Sequence, residues 1–260
     1  MAVSIRSLTA LPSEDAIAYT RSVARVVPAI EAELGPEVIA NRVIFADPDR
    51  PALRLEPWRS ARSRFRARLR AMATGARLVV MADVRACYAS ISACTVSRAL
   101  DGVGCEPDAV AEVQDLLETF GSSGIPGLPI GPDPSAVLAN AVLAAVDRAL
   151  GDAGIIHLRW VDDVIAAPSS GSARQVLEVL ERSLAPLGLE LADRKTRVLV
   201  DPSNVAASVP DLVSSGIRTA VTLRADAHPV PGLPGPHARA SEDGGVGPRR
   251  RPARRAGRHG

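Results

Sequence analysis

The chain has 260 residues, of which 47 % are apolar and 3 % aromatic, and its formal net charge is +2. That length accommodates one large domain or two small ones, and the scarcity of aromatic rings predicts a core of Ala, Val and Leu. No apolar run reaches the roughly 18 residues of a membrane helix, and the N-terminus lacks a charged start followed by an apolar run. We therefore expect a soluble, cytoplasmic protein with no membrane partner.

Charge and residue types also limit the kinds of function that the chain can have. Residues 236–260 hold seven arginines against two acidic residues, which leaves the first 235 residues near −3, so total charge gives no support to nucleic-acid binding. The three cysteines are odd in number and not spaced as zinc ligands, which predicts reduced thiols. His157 is the only histidine before residue 228, so a His-based triad is not expected. No Gly-Lys-Ser/Thr loop, HExxH or GxSxG motif occurs.

The beginning of the chain predicts helices. A helix opens at Ser13, ahead of two acidic residues, and Gly35 closes it, while Pro28 inside it predicts a kink or a break. Residues 41–57 contain three prolines and are interpreted as a loop or an edge strand.

A second helix is predicted from Pro57 to Gly75. Six arginines occupy its other faces. These side chains and Arg42 could contact phosphates, but a solvated helix face is the favoured interpretation. Its apolar stripe consists of Trp58, Ala61, Phe65, Leu69 and Met72.

The middle of the chain predicts alternating strands and helices. One apolar run of strand length ends at Asp83, and a second apolar segment is interrupted by Asp162-Asp163, which predicts a strand, a tight turn and a strand. A Gly/Pro-rich loop precedes a helix with Asp133 as its N-cap and Gly151 just past its end. In chain order the predicted elements are a strand at 78–82, helices at 107–120 and 133–150, a hairpin at 155–167, a helix marked by Val176, Leu177, Leu180 and Leu184, and a strand at 198–200.

The adjacent pair Asp162-Asp163 carries little weight by composition, because seventeen aspartates produce about one adjacent pair by chance. A solvated turn is the plain interpretation of the dipeptide alone. Its setting changes the expectation, since two charges at the tip of an apolar hairpin repel each other unless a cation lies between them.

Asp83 follows another predicted strand, where it either caps the next turn or supplies a third carboxylate. Three carboxylates from adjacent strands would make an oxygen-lined site of the kind that holds Mg²⁺. Two such ions about 4 Å apart can activate an attacking hydroxyl and stabilise a departing phosphate oxygen.

Four segments between residues 78 and 200 together resemble the motifs of the reverse transcriptase family. The first has an aspartate, an aromatic residue five positions later and a Ser-Ile ending; the second has a Gly/Pro-rich loop before a helix that begins near a Ser. The third has an aromatic residue, any residue and two aspartates, and the fourth has Leu-Gly-Leu-Glu-Leu followed by Lys-Thr. In this chain they are residues 83–91, 127–140, 159–163 and 187–196. The variant forms look closest to those of bacterial defence-associated or abortive-infection reverse transcriptases.

The resemblance implies a role for each matched residue. Asp83 and Asp162 would bind both Mg²⁺ ions, with Asp163 as a supporting ligand. Tyr88 would lie under the sugar of the incoming nucleotide and exclude a 2′-hydroxyl; an ordinary half-buried Tyr is the alternative. Lys195, the one lysine among 31 basic residues, would protonate the leaving pyrophosphate, a task that suits an ammonium better than a guanidinium. The alternative is a surface lysine that is present by chance and has no role. The floor of the nucleotide and template site would be Pro129, Ile130 and Gly131.

The chain departs from the family pattern at several positions. Ile130 stands where many members carry Gln, Ala192 where the fourth motif often has Asn, and Trp160 where Tyr or Phe is usual. No thumb-like sequence follows residue 200, so we expect a thumb that is absent, truncated or supplied by a partner. An out-of-frame reading of a GC-rich gene would also produce the Arg/Gly/Pro/Ala tail.

The sequence thus predicts an α+β fold in which residues 76–200 form a right-hand polymerase palm, an antiparallel sheet backed by helices, and residues 1–75 form mostly helical fingers. Residues 201–225 would connect palm and thumb, and residues 226–260 would be a disordered basic tail. The predicted function is RNA-directed DNA synthesis with two Mg²⁺ ions, an RNA template, a DNA or RNA primer and dNTPs, in bacterial antiphage defence by family likeness alone. A separate RNA partner is compatible with it. The alternatives are a catalytically silent nucleic-acid-binding relic and an unrelated Mg²⁺-dependent phosphoryl-transfer enzyme.

Overall fold

The computed structural model describes residues 8–200, so the predictions for the connection at 201–225, the thumb and the tail at 226–260 lie outside the described residues. The helices are α1 (Ser13–Glu33), α2 (Trp58–Gly75), α3 (Cys87–Ser90), α4 (Ala93–Gly102), α5 (Pro107–Ser122), α6 (Asp133–Asp152) and α7 (Ala173–Leu184), which a 3₁₀ turn (Ala185–Leu187) follows. The strands are β1 (Val43–Asp47), β2 (Ala52–Leu55), β3 (Leu78–Asp83), β4 (Ile155–Trp160), β5 (Asp163–Pro168) and β6 (Arg197–Val200).

The strands of the described chain form two antiparallel sheets. β1 and β2 make a two-stranded hairpin, and the other four strands make a sheet with the order β4-β5-β3-β6. Every neighbouring pair in the larger sheet is antiparallel. The predicted α+β class, with an antiparallel sheet backed by helices, is confirmed.

Helices cover both faces of the four-stranded sheet. Because side chains alternate along a strand, β3 directs Val80 to one face and Val79 to the other. Val80 belongs to the main core, which is filled by α1, α5, α6 and α7. Val79 belongs to a second core, which Phe65 of α2 completes. Asp83, Val79 and Met81 occupy alternate positions of β3, so the Cβ atom of Asp83 lies on the face of the sheet that α2 covers.

Pro28 does not break α1, so of the predicted kink or break, the break is wrong. The helix continues past it to Glu33. Pro28 itself is exposed, whereas Val26, Val27 and Ile30 beside it are buried in the main core. Packing on both sides of the proline therefore offsets the backbone hydrogen bond that it removes.

Several boundaries refine the sequence predictions. Residues 41–57, interpreted as a loop or an edge strand, contain the hairpin β1–β2. α6 begins at Asp133 with Pro132 in the N-cap position, one residue earlier than predicted. Helices α3 and α4 were not predicted, although Ser92 gave a signal, since its hydroxyl accepts from the Thr95 amide and caps α4. Between residues 8 and 200, the structure contains no helix that is both long and apolar enough to cross a membrane.

Candidate active site

Three aspartates lie at one end of two neighbouring strands. Asp83 is the last residue of β3 and pairs in register with Asp163, the first residue of β5. Asp162 lies in the β4–β5 turn, and its carbonyl accepts a 3.1 Å hydrogen bond from the Val84 amide. Directly opposite residues of an antiparallel pair hold their Cβ atoms about 4.5–5.5 Å apart, so the carboxylates of Asp83 and Asp163 start from adjacent positions.

A buried arginine holds the turn that carries Asp162. Val161 has a φ of 57°, in the left-handed region that a β-branched residue rarely adopts. Its carbonyl oxygen accepts a 3.1 Å hydrogen bond from Nη1 of Arg159, whose side chain is fully buried. Nη2 of the same guanidinium donates to Oδ2 of Asp147 on α6 at 2.7 Å. This ion pair therefore links the acidic turn to the central helix.

Asp147 keeps its charge in the core. Burial raises the pKa of this carboxyl, but the charge of Arg159 and the hydrogen bond from His157 outweigh burial and hold the pKa below its ordinary value. None of these residues was predicted to have a role. Two signals were available in the sequence: Arg159 interrupts an apolar strand, and Asn140 and Asp147 are spaced to share one face of a helix.

Lys195 binds Asp83. Its Nζ donates to both carboxylate oxygens, at 2.9 and 2.7 Å. The turn that carries the lysine is anchored to the same residue, because the Ala192 amide donates to the Asp83 carbonyl at 2.8 Å. The Lys195 side chain is 57 % exposed and that of Asp83 only 8 %. The lone lysine of the chain thus lies on a carboxylate that was predicted to bind metal.

The three aspartates match a hard divalent cation in donor chemistry, since every side-chain donor is a carboxylate oxygen. The Lys195 ammonium, which donates to both Asp83 oxygens, shows that this carboxylate binds a cation. Within residues 8–200, however, no three acidic, His or Cys side chains are arranged to hold a metal ion.

Tyr88 lies on the helix against which the Gly/Pro-rich loop packs. The Leu128 amide donates to the Tyr88 carbonyl at 2.8 Å, and the tyrosine side chain is partly buried against the main core. Gly127 has a φ of 64°, and a Cβ there would overlap the same carbonyl oxygen, so this close approach needs glycine. The structure thus brings Tyr88 and the loop together.

Pro129, Ile130 and Gly131 continue this loop. Pro129 is buried, Ile130 partly buried and Gly131 exposed, with a φ of 120°. The backbone of Ile130 is fixed by Thr9, whose amide donates to the Ile130 carbonyl at 2.7 Å and whose hydroxyl accepts from the Ile130 amide at 3.0 Å. The side chain of Ile130 has no polar atom, so any hydrogen bond to a ligand from this position comes from backbone.

Two of the arginines considered as phosphate contacts form ion pairs with glutamates. Arg42 binds Glu31 at 2.8 Å and also donates to backbone carbonyls, and Arg64 binds Glu56 with both Nη atoms at 2.6 Å. These two side chains therefore stabilise the fold. The exposed arginines of α2 are Arg59, Arg66, Arg68 and Arg70.

Comparison with known proteins gives one family. The family model described as "Reverse transcriptase (RNA-dependent DNA polymerase)" matches residues 39–223, a segment that includes all three aspartates and Lys195. A comparison with curated proteins found no match.

Proposed function

Since the chain belongs to the reverse transcriptase family, we propose that it is an RNA-directed DNA polymerase that extends a DNA or RNA primer with dNTPs on an RNA template. The observation that carries this proposal is the pairing of Asp83 with Asp163 beside Asp162, inside the matched segment. Residues 76–200 would serve as the palm and residues 1–75 as the fingers. A role in bacterial antiphage defence is supported by the variant motifs alone.

The carboxylates supply the negative charge that the reaction needs next to the substrate phosphates. In this proposal Asp83 and Asp162 are the main metal ligands and Asp163 supports them. Two bound Mg²⁺ ions would activate the primer 3′-hydroxyl and neutralise charge on the departing pyrophosphate.

Lys195 has two partners in this proposal. In the absence of a divalent ion its ammonium neutralises Asp83, as the structure shows. Its exposed, flexible side chain then turns to the triphosphate when an ion takes its place, and Nζ donates a proton to the leaving pyrophosphate oxygen. An ammonium can give up that proton, whereas a guanidinium scarcely does so.

Tyr88 and the loop that packs beside it would shape the nucleotide site. We assign to the Tyr88 ring the steric exclusion of a ribose 2′-hydroxyl, and to Pro129, Ile130 and Gly131 the floor under base and template. The support is the contact between the Leu128 amide and the Tyr88 carbonyl, which fixes the loop against the tyrosine backbone.

Primer extension tests the proposal. Purified protein, an RNA template with a DNA primer, dNTPs and Mg²⁺ should give full-length product, and chelation should stop synthesis. Asp162→Asn should reduce the rate about a thousandfold, because a lost ligand removes several kcal/mol of charge stabilisation. Asp152→Asn, at the exposed end of α6, is the matched control and should synthesise normally. Synthesis that persists in Asp162→Asn would contradict the assignment of the aspartates.

A second candidate function is template binding without synthesis. It is favoured by the ion pair that occupies Asp83 and by the lack, within residues 8–200, of three side chains arranged around a metal site. In that case wild-type protein would bind the primer–template with unchanged affinity in Mg²⁺ and in chelator, and would yield no extended product.

A further inference from the structure

The guanidinium of Arg159 is enclosed by protein on every side. The side chain is 0 % exposed, and Nε donates to both oxygens of Asp147, at 3.0 and 2.9 Å. Nη2 adds a third bond to the same carboxylate at 2.7 Å. Asp147 is itself 6 % exposed and lies 3.2 Å from His157 Nε2. The ion pair is therefore a two-pronged, buried contact between β4 and α6.

The third nitrogen of Arg159 is used differently. Nη1 donates to Oδ1 of Asn140 at 2.8 Å and to the Val161 carbonyl at 3.1 Å. Asn140 extends this hydrogen-bond network, since its Nδ2 donates to the Ala40 carbonyl at 3.1 Å. One side chain thus joins α6, the segment before β1 and the turn that carries Asp162.

A gain in the stability of the protein does not by itself explain the buried Arg159–Asp147 ion pair. A buried ion pair is often no more stabilising than apolar side chains of the same volume, because desolvation of the two charges offsets their attraction. A left-handed β-branched residue costs about 1–3 kcal/mol and persists only where the surroundings fix it. Val161 is such a residue, and Arg159 Nη1 is the donor bound to its carbonyl.

We propose that Arg159 is a positioning residue, whose Nη1 holds the Val161 carbonyl and so fixes the backbone from which Asp162 and Asp163 project. Asp147 and Asn140 orient the guanidinium for this task. The catalytic meaning of the inference rests on the proposed polymerase function, but the structural statement does not. It predicts that loss of Nη1 loosens the turn and weakens divalent-ion binding without unfolding the protein.

The turn can be observed directly through the Val84 amide, which donates to the Asp162 carbonyl at 3.1 Å. Hydrogen exchange of this amide, followed by NMR on the full chain, should quicken about tenfold in Arg159→Lys, which keeps the positive charge but loses the forked donor. The double variant Arg159→Met/Asp147→Leu replaces the ion pair by apolar groups, so it should stay folded and show the same faster exchange. Mn²⁺ affinity of the nucleic-acid-free protein should fall in both.

Ser22→Ala is the matched control, since it removes a part-buried hydrogen bond, 2.7 Å from the buried Ser22 Oγ to Glu112 Oε1, between helices α1 and α5. It should leave the exchange of Val84 unchanged. Wild-type exchange at Val84 in the folded Arg159 variants would overturn the inference. A wild-type protein that binds no Mn²⁺ and makes no product would instead refute the polymerase proposal, and the exchange result would still decide the role of Arg159.

Discussion

Replacing Lys195 by Met should have opposite effects on metal binding and on synthesis. The lysine Nζ lies 2.9 and 2.7 Å from the two Asp83 oxygens, so a divalent ion that uses Asp83 has to displace it. Because the lysine side chain is 57 % exposed, the pair is worth about 1 kcal/mol, which corresponds to about fivefold in affinity. Lys195→Met should therefore bind Mn²⁺ about fivefold more tightly than wild type.

Synthesis by the same variant should fall about a hundredfold, since a positioned general acid contributes at least that much. Lys195→Arg separates charge from proton donation: its Mn²⁺ affinity should resemble that of wild type, while its rate of dNTP incorporation should stay low. Arg194→Met removes a positive charge from the neighbouring exposed position and controls for general electrostatics. Mn²⁺ affinity is read by paramagnetic resonance titration of nucleic-acid-free protein, and incorporation by single-turnover primer extension.

Two results would contradict competition between Lys195 and the divalent ion for Asp83. If Lys195→Met binds Mn²⁺ no more tightly than wild type, the ammonium does not compete with the ion for Asp83. If Arg194→Met tightens Mn²⁺ binding as much as Lys195→Met does, the effect is one of total charge and the contact to Asp83 is irrelevant.

The remaining predictions concern the nucleotide side of the site. Tyr88→Ala should raise ribonucleotide incorporation relative to dNTP about tenfold or more, whereas Tyr88→Phe keeps the ring and should keep the selectivity; equal selectivity in all three proteins would remove Tyr88 from this role. Gly127→Ala should lower the free energy of unfolding in urea by about 1–3 kcal/mol, because the added Cβ meets the Tyr88 carbonyl at a positive φ. Gly124→Ala, at a φ of 86° but in open space, should cost only about 1 kcal/mol, and equal losses would contradict a close approach at Gly127.

Local sequence patterns predicted most of the helices and strands because they report on neighbours in the chain, whereas the antiparallel palm was implied by the family resemblance. The strand that ends at Asp83 and the hairpin around Asp162-Asp163 follow from apolar runs of strand length, and both are confirmed. The sequence predicted only that the strands of Asp83 and Asp163 are adjacent. The register shows that the two residues lie directly opposite each other. The break predicted at Pro28 was wrong for the complementary reason, since the packing that keeps the helix continuous there comes from distant residues.

The contacts of the charged residues could not be predicted in the same way, because they join positions far apart in the chain. Lys195 is 112 positions from Asp83, and composition marked it as unusual without indicating its partner. The pairing of Arg159 with Asp147 depends on how β4 lies on α6, and no pattern within either element encodes that. Asn140 was noted only as part of a motif, although it accepts from Arg159 at 2.8 Å.

Arg159, bound to the acidic turn, and Lys195, bound to Asp83, differ in burial. Arg159 has Nε and Nη2 bonded to Asp147, and burial fixes its place, so its charge is balanced by a carboxylate within the core. Lys195 lies at the surface and can leave Asp83 at the cost of about 1 kcal/mol. If both cations were exposed, they would compete with the ion for the aspartates; if both were buried, Asp83 could not be released. This arrangement, one buried cation bonded to the Val161 carbonyl and one exposed cation on Asp83, supports the proposal of a fixed acidic turn at which a divalent ion exchanges with Lys195.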